Sequence, residues 1–268
     1  MSGFRASGAG LARGAVVAAV LAFLILPNLI VIPISFNSTS LLSFPPTGFS
    51  FKWYARIVEL PGWVDAAITS FVVASITTVT SLVLGSLAAY ALVRGDFPGK
   101  RILRALILWP IIVPSLVTAV AVFLTFSKVG LTGSILGFVM ADTVLAMPFV
   151  VIIMTAAIRE IDPSYENAAM GLGANRIQAI VKVTLPMALP GVIASALFSF
   201  LISFDELLVS LFLSSPRLAT LPKKMWDGVR LEIDPTLAAV STLLVLMNVL
   251  VLLAVAWTKR GQRGQPGR

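Results

Sequence analysis

Six apolar stretches dominate this chain, and their length leaves few folds open to it. They fall at residues 15–36, 66–93, 102–126, 134–158, 186–213 and 237–257. A helix needs about 20 mostly apolar residues to cross the hydrocarbon of a bilayer, and each stretch is long enough. Only 12% of the residues are charged, roughly half the share of an ordinary soluble domain. The predicted fold class is therefore all-α: a polytopic membrane protein with six transmembrane helices, read as one domain over 1–268. Arg5 and Arg13 precede the first stretch, as in a secretory leader. That stretch runs on past the 7–15 apolar residues typical of a signal sequence, so it is read as a retained helix.

Basic residues set the orientation, because short cytoplasmic loops retain Lys and Arg. With the N-terminus inside, the cytoplasmic segments hold Arg5, Arg13, Arg94, Lys100, Arg101, Arg104, Arg159, Arg176, Lys182, Lys259, Arg260, Arg263 and Arg268, most of the 20 Lys and Arg. The outer loops hold Lys52, Arg56 and Lys128. They also hold Arg217, Lys223, Lys224 and Arg230, which lie among Asp227, Glu232 and Asp234. The net charge of +8 thus reads as topology, with both termini cytoplasmic, and not as a nucleic-acid face. The outer loops at 37–65 and 214–236 carry Trp53, Tyr54, Trp63 and Trp226 with several prolines, a composition suited to ordered structure at the membrane surface. The chain has neither Cys nor His, which removes disulfides and the commonest metal-ligating and general-base side chains.

One cytoplasmic loop, 159–186, is specified far beyond what a connector needs. Asp162 is placed to cap a helix whose first residue is Pro163, where a missing N–H costs nothing. Glu166 falls in the first turn, favourable to the helix dipole. Ala168, Ala169, Met170 and Leu172 sustain the helix, and Gly173 is a natural left-handed stop. Asn175 can cap a second short helix, from Arg176 to about Thr184, with Ile177, Ile180 and Val181 as its apolar stripe. Such an elbow rests on the bilayer or on its own bundle, or docks against a partner.

The loop resembles the EAA loop of ATP-binding cassette importer permeases: Glu-Ala-Ala, three residues, Gly, nine residues, an aliphatic residue, any residue, Leu-Pro. Asn167, Ala168, Ala169, Gly173, Val183, Leu185 and Pro186 stand at those spacings. Asn167 replaces the motif's glutamate, with Glu166 one residue earlier. The resemblance extends through SFNS near Phe36, the Lys52-Trp53-Tyr54 triplet, FPGKR at 97–101, and the run from LPGVIASALFSFLISFDELLVSLFLSSP to DPTLAAVSTLL. These segments are similar to permeases of the spermidine/putrescine class of binding-protein-dependent systems.

The resemblance implies a type I importer permease fold, with 159–186 as the coupling loop. It implies a second permease subunit, two ATPase subunits and an extracytoplasmic solute-binding protein as partners, in the bacterial inner membrane. ATP and Mg would be bound by the ATPase, with no cofactor in this chain. The implied solute is a polyamine; an amino-acid derivative, an opine, a phosphonate or another small organic solute is the alternative.

Three acids lie inside the apolar stretches: Asp142 in the fourth, Asp205 and Glu206 in the fifth. A charge at the bilayer centre costs about 2.5–3.5 kcal/mol on insertion scales, so each needs a wet cavity, a partner or a proton. They either line a pathway that accepts a cation or form a hydrogen-bonded structural cluster. In a continuous helix Asp205 and Glu206 would project about 100° apart. Glu206 would then extend the stripe Gly191, Ser195, Ser199, Ser203, a spacing that lets helices approach closely. Pro110, Pro114, Pro148 and Pro190 predict kinks.

Other classes fit less well. An intramembrane aspartyl protease would use acids on two helices, but Asp142 and Asp205 sit in neither a Gly-x-Gly-Asp nor a Tyr-Asp context. A self-contained secondary transporter leaves the elbow unexplained. There is no G-x-x-x-x-G-K-[ST] phosphate loop: Gly171-Leu172-Gly173 lacks the lysine. The chain is read as a non-catalytic transmembrane subunit.

Overall fold

Helix accounts for nearly all the regular structure in the computed structural model, which describes residues 8–231 and 234–263. Arg5, Glu232 and Arg268 of the charge pattern lie outside the described residues. The chain, read as one domain, packs as two compact units: the described residues of Met1–Pro61 with Asp227–Arg268, and Gly62–Trp226.

The first unit holds α1 (Gly8–Ser35), α2 (Lys52–Glu59) and α13 (Pro235–Arg263), with the last part, from Asp227, of α12 (Leu221–Leu231). α13 packs against both α1 and α2. The connection from α1 to α2 is ordered around Asn37, which is fully buried. Its amide donates to the Leu41 carbonyl and the Ser43 hydroxyl at 2.8 and 2.9 Å. Its own carbonyl accepts from the Trp53 indole at 2.7 Å. Trp53 therefore serves as a buried anchor, with Lys52 and Arg56 over its ring.

The second unit comprises α3 (Trp63–Arg94), α4 (Lys100–Ile112), α5 (Ser115–Lys128), α6 (Ile135–Arg159), α7 (Pro163–Gly171), α8 (Arg176–Ala179), α9 (Leu185–Met187), α10 (Leu189–Phe204) and α11 (Leu208–Leu213). Its core is the contact of α3, α6 and α10. α6 is the most enclosed of the three: Phe138, Ala146 and Val150 are fully buried. α3 turns a stripe of small residues inward, with Thr77, Ser81, Gly85 and Ala89 at four-residue spacing, and α10 does the same with Gly191, Ser195, Ser199 and Ser203. Ser81 and Ser199 meet hydroxyl to hydroxyl at 2.5 Å, and Thr80 meets Thr143 at 2.7 Å. Helices without a hydrophobic drive to associate in lipid are held in this way, by close approach and shared hydrogen bonds.

Three helical segments are by themselves long and apolar enough to cross a membrane: Arg13–Ser35, Trp63–Arg94 and Ile135–Arg159. Two further crossings require bent pairs, and α13, apolar over Pro235–Val249, completes six. The third stretch, read as one helix over 102–126, is two: α4 and α5 are bent by 105°. The cause is Pro114. Val113 before it is extended (φ −75°, ψ 131°), because a proline ring disfavours helical geometry in the preceding residue. Pro110 and Pro148, by contrast, lie within unbroken helices. The fifth stretch, read as one helix over 186–213, breaks at Ala188 and again at Asp205–Leu207.

A side chain at Gly191 tests the close approach of α10 and α6, since a Cβ there would lie 2.5 Å from Ala157 Cβ. Gly191→Val is expected to destabilise the unit by about 1–3 kcal/mol, read as a lowered melting temperature in detergent. Gly14→Val, with nothing within 4 Å, should leave it unchanged.

Candidate functional site

The elbow forms from its local signals. Asp162 caps α7 by accepting from Ser164 N–H at 2.8 Å, and this bond holds its exposed carboxyl below the usual range. Gly173 has φ +95°, a backbone region that side chains with a Cβ avoid. The side-chain oxygens of Asn175 and Gln178 each accept from the other's backbone N–H, at 2.9 and 3.0 Å, a capping box that starts α8. The second helix, expected to run regularly to about Thr184, is α-helical only to Ala179. A π-helical turn, Ile180–Thr184, then leads into α9. Pro186 removes the N–H that would bond to Lys182, and Pro190 the one that would bond to Pro186. The ladder widens before the first proline and breaks before the second. The two arms, Arg176–Met187 and Leu189–Phe204, stand 77° apart.

Glu166 is the centre of the arrangement. It is buried, on the inner side of α7. Its carboxylate accepts from Tyr90 Oη at 2.7 Å, Thr184 Oγ1 at 2.9 Å and Arg94 Nε at 3.2 Å. Arg94 also donates to the carbonyl of Ile161 at 2.6 Å. One side chain thus ties α7 to the end of α3 and to the turn that leads into α10. Burial alone would raise the Glu166 carboxyl. The hydrogen bonds from Tyr90, Thr184 and Arg94, with the Arg94 charge, outweigh it and hold the carboxyl below its ordinary value of 4.5.

The motif residues divide between two faces. Asn167 and Ala168 are exposed and Ala169 is half-buried. Met170, Leu172 and Ile177 join them on an exposed apolar surface, Leu172 at 91%. Val183 is half-buried in the π turn, while Leu185 and Pro186 are exposed. Sequence reasoning singled out Glu166 but not its three partners. Tyr90 and Arg94 are spaced by four at the end of α3, which places them on one helical face, the only available hint.

The membrane acids are arranged differently from the continuous-helix expectation. Asp142 is buried and accepts from Ser203 Oγ at 2.6 Å; its other oxygen finds no partner among the described residues. Asp205 and Glu206 lie where the helix has stopped, so the 100° rule does not relate them and Glu206 does not continue the serine stripe. Glu206 instead caps α11, accepting from Val209 N–H at 3.0 Å. Asp205 is exposed.

Comparison with known proteins places these features. The sequence pattern of the binding-protein-dependent transport system inner membrane component matches residues 81–264. The spermidine/putrescine transport system permease protein PotC of Escherichia coli K12 is 30% identical over 244 residues, 91% of this chain and 92% of its own length. The putrescine transport system permease protein PotI of the same organism is 31% identical, covering 88% and 85%. The crystal structure of a bacterial ABC transporter that imports the acidic polysaccharide alginate superposes with a TM-score of 0.75, covering 97% of this chain and 98% of that one. At 17% identity that likeness bears on the fold alone.

Acid should loosen the elbow. A carboxyl held below its ordinary value contributes stability that is complete above pH ~4.5 and is lost as the pH falls through its lower native value. Amide exchange over 163–184 is expected to quicken as the pH falls below about 4, beyond the intrinsic pH dependence of exchange. Glu166→Ala leaves the partly buried Arg94 without its carboxylate and should cost about 1–3 kcal/mol. The same segment should then exchange faster at neutral pH.

Proposed function

Because this chain belongs to the family of binding-protein-dependent transport system inner membrane components, we propose that it forms half of the pathway of an ATP-driven polyamine importer and that residues 159–186 receive the movement of the ATPase. It is the non-catalytic membrane subunit. It pairs with a second permease, two ATPase subunits and an extracytoplasmic binding protein, and both its termini lie in the cytoplasm.

The observation that carries this reading is the two-faced elbow. The outer face offers Asn167 and Ala168, with exposed Leu172 beyond the helix end, a small-residue and apolar surface that fits a groove in another protein. Asn167 offers an amide where the family pattern has a carboxylate, so docking here depends on shape and neutral hydrogen bonds. The inner face offers Glu166, bonded to α3 and to the turn that leads into α10. A push on the outer face reaches the bundle without a flexible link. Val183, Leu185 and Pro186 form the joint, and Gly173 sets the angle between α7 and α8.

A polyamine is supported by the relatives and by the acids. PotC and PotI are named for spermidine and putrescine. Asp205, exposed at the second break of the fifth stretch, is the acid free to meet a passing cation; a carboxylate returns contacts that an ammonium loses on leaving water. Asp142 and Glu206 hold that break in shape, one through Ser203 and the other through the α11 cap.

In proteoliposomes containing the whole complex and its binding protein, labelled putrescine should accumulate on ATP addition and a neutral sugar should not. Accumulation of the sugar alone would overturn the polyamine reading. Gly173→Ala should insert normally yet lose most uptake, since a Cβ at φ +95° costs about 1–3 kcal/mol. Gly171→Ala, with open space and no positive φ, should transport as the parent does. Asp205→Asn should weaken putrescine uptake without changing ATPase binding.

A further inference from the structure

A cleft of about 510 Å³ opens between α3, α4 and α6, and four cations line it: Lys100, Arg101, Arg104 and Arg159. Lys100 and Arg104, at i and i+4, share a face of the first turns of α4, Arg101 projects beside them about 100° from Lys100, and Arg159 lines the site from the end of α6. The placement is electrostatically unfavourable as it stands. α4 has no acid in its first turn and no side-chain cap, so its unpaired backbone N–H groups and positive dipole end lie beside positive side chains. Lys100 spends one donor on the Gly95 carbonyl at 2.8 Å. No described carboxylate pairs with any of the four, although Asp96 and Glu160 are close in sequence. Like charges gathered around a helix N-terminus lower their energy by meeting an anion.

The walls say which kind. Beyond the cationic rim the cleft is lined by Leu92, Leu108, Val151 and Ile152, and the outer face of α4 continues with exposed Ile102, Leu106 and Trp109. A free inorganic anion gains nothing from that surface, and an acidic protein segment would have to cover it with apolar side chains. A lipid offers both parts in one molecule, a phosphate for the arginines and acyl chains for the leucine and isoleucine walls. Basic pockets between membrane helices are suited to anionic headgroups.

We infer that the cleft between α3, α4 and α6 binds an anionic phospholipid, its phosphate held by Arg101, Arg104 and Arg159. The lipid covers the junction where α4 meets α6, next to the loop from α3 to α4 that follows Arg94. It therefore braces the same end of the bundle to which the elbow is fixed.

The test uses the complete purified importer, stripped of lipid in detergent and titrated with phosphatidylglycerol, phosphatidylcholine, glycerophosphate or inorganic phosphate, with bound lipid counted by native mass spectrometry. Phosphatidylglycerol should bind in preference to phosphatidylcholine, and neither free anion should displace it. The triple variant Arg101→Gln/Arg104→Gln/Arg159→Gln should weaken phosphatidylglycerol binding about tenfold or more, and the triple lysine variant should retain it. Thr155→Trp, which fills the cleft while leaving every cation in place, should also weaken it, so the outcome does not hang on one variant's assembly. Equal binding by the parent and Thr155→Trp would overturn the inference. Displacement by phosphate alone would identify a site for a free anion. Loss of ATPase association in the glutamine variant without loss of lipid would identify a protein contact; either result overturns the lipid assignment.

Discussion

A carboxylate withdrawn from water costs several kcal/mol unless charge and hydrogen bonds replace the lost hydration, and Glu166 is withdrawn at the one place where the loop meets the bundle. Everything around it answers that requirement. Tyr90 and Arg94 come from α3, Thr184 from the turn before α10, and Arg94 further secures the backbone at Ile161. The ionised group cannot leave this position without stranding Arg94, so α7 is fixed against the helices that form the core. The elbow's opposite face is left free of intramolecular work. That division of labour suits a segment that takes force from outside and passes it inward.

Beyond the elbow, the second unit rests on closeness. Gly85 faces Val150 and Gly191 faces Ala157 at distances that leave no room for another carbon. Hydroxyl pairs such as Ser81–Ser199 supply the polar contacts. Such an interface does not deform gradually, because packed surfaces hold discrete arrangements. The fifth stretch supplies the places where change is possible: a π turn, a break at Ala188 and a second break at Asp205. Val183–Pro186 lead into a rod, Leu189–Phe204, flanked by two joints. The acids Asp142, Asp205 and Glu206 gather at the far joint, where the helix has no continuous ladder.

Much of this was legible in the residues. Length and apolarity gave the helices, because a bilayer allows little else. Asp162, Pro163, Gly173 and Asn175 gave the elbow, because caps and left-handed glycines are local signals. The broken helices were not legible. Pro110, Pro114, Pro148 and Pro190 look alike in sequence, yet Pro148 is accommodated within an unbroken helix while Pro114 ends one; packing around each proline decides, and packing is not local. The same holds for Asp205 and Glu206, whose relation followed from a helix that stops before them. The burial of Glu166 required knowing that the end of α3 lies beneath α7, a tertiary fact. The cationic cleft likewise joins residues nearly sixty positions apart, which in the sequence were visible only as topology charges.

The claim on which the account turns is that α7 and α3 move as one body through the Glu166 contact. The chain has no cysteine, so spin labels at Ala168→Cys and Leu87→Cys, both exposed positions, are specific in a complex whose other subunits are cysteine-free. The distance between them, measured by pulsed electron paramagnetic resonance without nucleotide and with ATP trapped, should be the same in both states. Solute-stimulated ATP turnover would show that the labelled complex still cycles. A distance that shifts between the states would contradict the account, because the elbow would then move independently of the bundle it is held to drive.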